Sequence, residues 1–161
     1  MSTNPKFSPD NPIGYEVTLT REFAAPRELV FRAWTEEARV KEWWGPQQFT
    51  NPVCKVDARV SGEMDIHMRS PDGTVYPMKA TFAEIVAPEK IVFNSGAVDE
   101  KGGMLFEILN TVLLTEVGDK TRLTLTARVM KVTSQGSHYL GGMEMGWSGS
   151  LDKLVAYVDK K

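Results

Sequence analysis

Few side chains in this chain could carry covalent or proton-transfer chemistry, and their spacing narrows the choice further. There are two histidines, His67 and His138, and one cysteine, Cys54. No histidine pair or cysteine cluster has zinc-ligand spacing, so no metal site is predicted. Cys54 has no histidine neighbour in sequence to generate a thiolate, and reads as a small, partly buried residue. His67 falls on the charged side of the alternating segment EMDIHMR and reads as solvated rather than as a general base. His138 precedes a glycine-rich stretch and reads as a surface residue near a helix N-terminus, with gating of a pocket entrance as the alternative. Asp57 and Arg59 share a strand face, which predicts a structural ion pair, with a polar site as the alternative. Glu84 and Glu107 sit in apolar segments. Pointing inward, either would be desolvated, its pKa raised, and made a candidate acid or base. Alternation puts Glu107 opposite Phe106 and Ile108, hence outward if those two face in. No phosphate-binding loop, dinucleotide glycine fingerprint or nucleophile elbow occurs. No nucleophile–base pair can be named, so neither a catalytic residue nor a cofactor is predicted.

Side chains suited to apolar binding are better supplied. Trp43 and Trp44 close a helix just before Gly45-Pro46. One of them can plug a core while the other caps a pocket mouth with its indole N–H; the competing reading is a plain structural anchor. Trp147 lies on the stripe of a C-terminal helix. Met64, Met68, Met78, Met104, Met130, Met143 and Met145 are spread over strand and helix segments. Soft, unbranched thioethers suit an adaptable lining as well as they suit gap-filling in an irregular core, and both readings stay open.

These residues need a frame. The chain of 161 residues is of single-domain length and long enough for a sizeable core. Its charge sum, 19 − 21 = −2, argues against nucleic-acid or membrane-surface binding by bulk charge. The longest apolar run is five residues, Leu154 to Val158, far short of the ~20 needed to cross a bilayer. A single cysteine and a polar start without a signal-peptide core predict a cytoplasmic protein. Residues 1–14, rich in proline and poor in apolar side chains, predict a flexible tail ahead of one domain over 15–161.

The segment YEVTLTREF alternates and predicts a strand, with Tyr15, Val17, Leu19 and Phe23 on one face and Arg21 as the exception. Pro26 suits a first helical position in PRELVFRAW. Thr35 suits the N-cap of a second helix, and Gly45 a left-handed cap at its end. Six antiparallel strands then follow. In EMDIHMR, Met64, Ile66 and Met68 should face inward, with Asp65 and His67 outward. TVYPMKATFAEIVA should bend or lie at an edge near Pro77. KIVFN should be a short strand closed by Ser95-Gly96. The final segment changes period: Trp147, Leu151, Leu154 and Val158 form one helical stripe, with Met143 a turn earlier. Interior glycines cost a helix roughly 1 kcal/mol each, so Gly146 predicts a close approach of the helix backbone to another element. Phe82, Phe93, Phe106 and Leu125 are candidates for the wall facing that helix. Strands in a run with helices at the ends give an α+β fold, an antiparallel sheet on one long helix.

The motifs RxFxAPRELVFRAWTE, KEWWGP, VDAR with SGE, EIVAPEKIVF, TRLTLT and GGMEMGWSGSLDKLVAYV stand in this order at these spacings. Over roughly residues 15–160 the chain resembles the SRPBCC superfamily with its START-like helix-grip fold. Within it, the chain is similar to the group named for homology to the activator of the heat-shock-protein-ninety ATPase. The resemblance implies a curved antiparallel sheet wrapped around a long C-terminal helix, two short helices after the first strand, and an internal cavity. A small apolar or amphipathic ligand, monomer or dimer, is the leading expectation, with Trp43, Trp44, Met64, Ile66, Met68, Phe82, Phe93, Phe106, Leu125, Met143, Trp147 and Leu151 as cavity candidates. Contact with a chaperone ATPase, or a stress-response role, is the second expectation. Cyclase or hydrolase chemistry inside the cavity is the third.

Overall fold

The structure is a computed structural model and describes residues 12–99, 101–134 and 137–159. The expected tail lies outside the described residues up to position 11, and so does the side chain of His138. Strand β1 (Glu16–Phe23) leads into helices α1 (Arg27–Thr35) and α2 (Glu37–Trp43). Strands β2 (Thr50–Val56), β3 (Glu63–Arg69), β4 (Val75–Val86), β5 (Lys90–Ala97), β6 (Phe106–Val117) and β7 (Lys120–Val132) follow. A 3-10 turn (Ser137–Gly142) then opens helix α3 (Met143–Asp159). The strands form one seven-stranded antiparallel sheet in the order β1-β7-β6-β5-β4-β3-β2. The sheet curves around α3, with α1 and α2 closing one side. This is the helix-grip α+β architecture.

Alternation dictates which residues meet α3. Ile91, Phe93 and Ser95 of β5 face inward, as do Ile108, Asn110, Val112 and Leu114 of β6 and Leu123, Leu125, Ala127 and Val129 of β7. Fully burying a leucine or valine stabilises by roughly 1.5–3 kcal/mol, so the continuous inner face of β7 anchors the sheet. Leu151, Leu154 and Val158 of α3 are buried against it.

Several local expectations shift. Pro26 is the N-cap of α1 rather than its first helical residue, with extended backbone at φ −71° and ψ 156°. Thr35 ends α1, its hydroxyl donating to the Phe31 carbonyl at 3.0 Å, and Glu36 is the N-cap of α2. Pro77 is not at an edge: β4 lies between β3 and β5, and the edges are β1 and β2. A bulge between Phe82 and Glu84 bends β4 instead. Strand β5 continues through Ser95 and Gly96 to Ala97. A Cβ at Gly96 would fall 1.9 Å from the Phe106 carbonyl oxygen, so only glycine lets β5 run this close to the start of β6.

Arg21, the exception in the β1 pattern, has a specific role at the sheet edge. Its guanidinium donates to Asp152 Oδ1 at 2.9 Å and to Ser148 Oγ at 2.8 Å. The inward position that breaks the apolar alternation therefore clamps β1 to α3.

Candidate functional site

The interface between sheet and helix has a filled end and a hollow end. At the filled end all four tryptophans of the chain converge. The Trp34 ring centre lies 4.7 Å from Trp43, 6.3 Å from Trp44 and 6.0 Å from Trp147. Trp44 and Trp147 meet edge to face at 5.4 Å, and Phe93 packs on Trp34, Trp44 and Trp147. Edge-to-face and tilted geometries place positive ring edges over negative faces. The Trp43 indole donates to the Ala33 carbonyl at 2.8 Å, which satisfies its buried N–H.

The WWGP turn is fastened to α3 by polar contacts. Gly45 takes φ +92°, the left-handed conformation expected of it. Its N–H donates to Ser150 Oγ at 3.2 Å. The Ser150 hydroxyl in turn donates to the Trp43 carbonyl at 3.4 Å. The Lys153 ammonium donates to the carbonyls of Trp44, Gly45, Pro46 and Phe49 at 3.2–3.4 Å. It thereby places a cation at the carboxyl end of α2, where the helix dipole is negative. Burial lowers the Lys153 pKa. Asn51, from β2, donates to the carbonyls of Lys41 and Trp44 at 3.0 and 2.9 Å. One side of the hollow end is thus a rigid rim.

The close approach expected at Gly146 falls one turn later. A Cβ at Gly146 would meet only Pro46 Cγ, at an ordinary 3.8 Å. A Cβ at Gly149 would lie 3.4 Å from the backbone nitrogen and Cγ of Gln47. The Gln47 amide also donates to the Gly149 carbonyl at 3.2 Å, so the WWGP loop packs on the helix there.

Beyond Trp44 and Trp147 the interface opens into a cavity of about 1030 Å³ that reaches solvent. Of the twelve residues expected around it, Trp44, Met68, Phe106, Met143 and Trp147 form part of its wall. The other seven, Trp43, Met64, Ile66, Phe82, Phe93, Leu125 and Leu151, are buried in the solid core instead. Each strand runs the length of the interface, so one inward stripe serves both ends: Met64 and Ile66 are core, while Met68 is wall. Periodicity gives the face of a strand but not the position along it where packing stops. Phe49, Tyr76, Met78, Ser95, Gly96 and Leu140 also form wall and were not expected there. Ser95-Gly96 reads as a turn in sequence, which conceals two wall positions. Met104, Met130 and Met145 are exposed and are neither core nor part of this wall.

The titratable candidates whose side chains are described do not converge on the cavity. His67 and Asp65 face the other side of β3 and pair at 3.3 Å. Asp57 and Arg59 form an exposed pair at 2.9 Å. Glu84 pairs with Lys90 at 2.8 Å and Glu107 with Lys131 at 3.4 Å. Cys54 is half-buried beside α2; burial first, then the Glu37 carboxylate, pushes its thiol up to about 11. Among the described residues no group of three histidine, cysteine, aspartate or glutamate side chains is placed to hold a metal ion. No helix among them is long and apolar enough to cross a membrane.

Sheet, gripped helix and adjoining cavity together define a START-like helix-grip domain. Residues 24–159 match the family model described as Activator of Hsp90 ATPase homolog 1-like protein, and the chain belongs to that family. A protein of Arthrobacter aurescens with a solution structure is 25% identical, superposes with a TM-score of 0.80, and is matched over 91% of this chain and 87% of its own. An AHSA1 protein from Silicibacter pomeroyi is also 25% identical, with a TM-score of 0.74 over 88% of this chain and 95% of that one. Protein Ms6760 from Mycobacterium smegmatis, 23% identical over 98% and 94% of the two chains, shares the fold with a TM-score of 0.74. No curated protein matches the sequence.

Proposed function

We propose that the hollow end of the sheet–helix interface binds a small apolar or amphipathic molecule. The observation that carries this reading is the contrast in packing along one continuous interface. Protein interiors are ordinarily filled to crystal-like density. Here tightly packed aromatic rings give way to about 1030 Å³ of open space walled by Trp44, Trp147, Met68, Met78, Met143 and Phe106. That volume is at the upper end of the ~300–1,000 Å³ usual for small-molecule sites. Tryptophan faces supply flat contact area, and the flexible thioethers adjust to ligand shape. The rim held by Ser150 and Lys153 keeps the wall in place without a ligand, so little ordering cost falls on binding. The reading is one of binding rather than of reaction: among its described residues the wall brings no nucleophile next to a base.

Native mass spectrometry of protein purified from cells under mild conditions tests this directly. A co-purifying small molecule, displaced by the neutral dye N-phenylnaphthylamine, is the expected result. Protein that is ligand-free and also fails to enhance the dye's fluorescence would overturn the proposal.

A further inference from the structure

Where the filled end meets the hollow end, the sheet carries a buried polar pair, Asn110 and Ser95. Asn110 is fully buried on the inner face of β6, between Ile108 and Val112. Its Nδ2 lies 3.2 Å from the Phe93 carbonyl, 3.2 Å from the Ile108 carbonyl and 2.8 Å from Ser95 Oγ. The two carbonyls are acceptors only, so they fix which lobe of the amide is the nitrogen. The nitrogen therefore donates to Ser95, and the serine oxygen is the acceptor. The amide oxygen, Oδ1, is buried without a partner. An apolar side chain at position 110 would avoid that desolvation cost, so strand pairing alone does not account for asparagine here.

With its oxygen accepting from Asn110, Ser95 keeps its hydroxyl proton to donate. No described residue takes that proton, and Ser95 lies on the cavity wall. The rest of the wall sets the charge. Among its described residues there is no lysine, arginine or histidine, and the one carboxylate, Asp99, stands toward the loop after β5. Asp99 Oδ1 accepts from the backbone N–H groups of Lys101 and Gly103 at 2.9 and 2.8 Å, which holds this negative group in place. An anionic ligand would lose its hydration and find no cation in return among the described residues of this wall.

We infer that the molecule bound here is uncharged and places a carbonyl-type acceptor oxygen against the Ser95 hydroxyl, its apolar body lying between Trp44, Trp147 and the methionines. This rests on the ligand-binding reading above. Asn110 acts as a positioning residue, orienting the hydroxyl without touching the ligand.

Calorimetric titration of three probes of one shape tests it: an acetylnaphthalene, the isopropyl analogue in which the ketone oxygen is lost, and naphthoate. Each is titrated into the wild-type protein and into Ser95→Ala, which leaves Asn110 its two carbonyl acceptors. The expected result is that Ser95→Ala weakens the ketone by about three- to tenfold, the range of one neutral hydrogen bond. The same change should leave the hydrocarbon within about twofold, which also reports an intact cavity. Naphthoate should bind weakest to both proteins. Hydrocarbon binding with equal loss, or no loss, for ketone and hydrocarbon on Ser95→Ala would overturn the acceptor assignment and leave the binding reading standing. Naphthoate binding as tightly as the ketone would overturn the uncharged assignment. Failure of all three probes with wild-type protein would overturn the binding reading itself, and this inference with it.

Discussion

The filled and hollow ends of the sheet–helix interface are made from the same strands and the same helix, yet they differ in what their inward residues are. Toward the filled end β5 presents Ile91 and Phe93; toward the hollow end it presents Ser95 and Ala97. Strand β4 changes in the same way, from Phe82 and Ala80 to Met78 and Tyr76. Helix α3 changes from Leu154 and Leu151 to Trp147 and Met143. One end therefore has rigid rings and branched chains that interlock. Past the boundary rings of Trp44 and Trp147, the other has mainly small, hydroxylated or thioether side chains, Ser95, Ala97, Met78 and Met143 among them, that leave space between them. The lesson is a division of labour along one interface: stability is concentrated where packing is complete, and the remainder is free to stay open.

That division can be attacked by substitution. Phe93→Ala, which removes a ring touching three tryptophans, should destabilise by about 3–5 kcal/mol in urea unfolding. Met68→Ala, on the same sheet face but at the cavity wall, should cost less than about 1.5 kcal/mol, because fewer neighbours lose contact. Equal losses at the two sites would erase the distinction. The rim can be tested separately. Lys153→Met keeps the aliphatic stem but removes the ammonium that donates to four carbonyls. It should cost about 1–3 kcal/mol in the same measurement. A smaller effect belongs to the helix: Gly146→Ala should stabilise by up to about 1 kcal/mol, since its Cβ has room and alanine has the better helix propensity. A destabilised Gly146→Ala protein would restore the close approach at Gly146 that the sequence predicts.

The smallest effect concerns a group outside both ends. The Cys54 thiol titrates near 11 rather than 9 because burial disfavours its thiolate. A raised folded pKa stabilises below the unfolded value, and that contribution fades as pH climbs from about 9 through 11. At about pH 9 iodoacetamide should label the folded protein at least about tenfold more slowly than the urea-unfolded chain, read by mass spectrometry. Equal rates would show that Cys54 is neither desolvated nor shielded.

Sequence made the architecture legible because its signals are periodic. The alternation of Met64 and Ile66, the stripe from Trp147 to Val158, and Gly45-Pro46 after two tryptophans each report local geometry that tertiary contacts did not override. The cavity was only partly legible. Core and wall share the same inward stripe, so Phe82, Phe93 and Leu125 carry the same alternation as Phe106 and Met68. Only the fit of side-chain volumes across the sheet decides which is which, and that fit is a property of three dimensions. Ser95-Gly96 shows a second loss: a small-residue pair that marks a turn in most sequences here marks a strand squeezed against its neighbour. Arg21 shows a third case: in sequence it is only an exception to the alternation, because its partners, Ser148 and Asp152, lie on a helix distant in the chain.

The most direct test of the central claim is to fill the hollow end and ask what is lost. Ala97→Phe places a ring in the cavity, and Ala127→Phe places the same ring in the packed face of β7. N-phenylnaphthylamine titrations and thermal melts of both variants beside the wild type give the comparison. The predicted result is that Ala97→Phe melts within a few degrees of wild type and loses dye binding at least about tenfold. Ala127→Phe should instead melt well below it, overpacking costing about 1–3 kcal/mol. Undiminished dye binding by a folded Ala97→Phe protein, or no binding by wild type at all, would contradict the account.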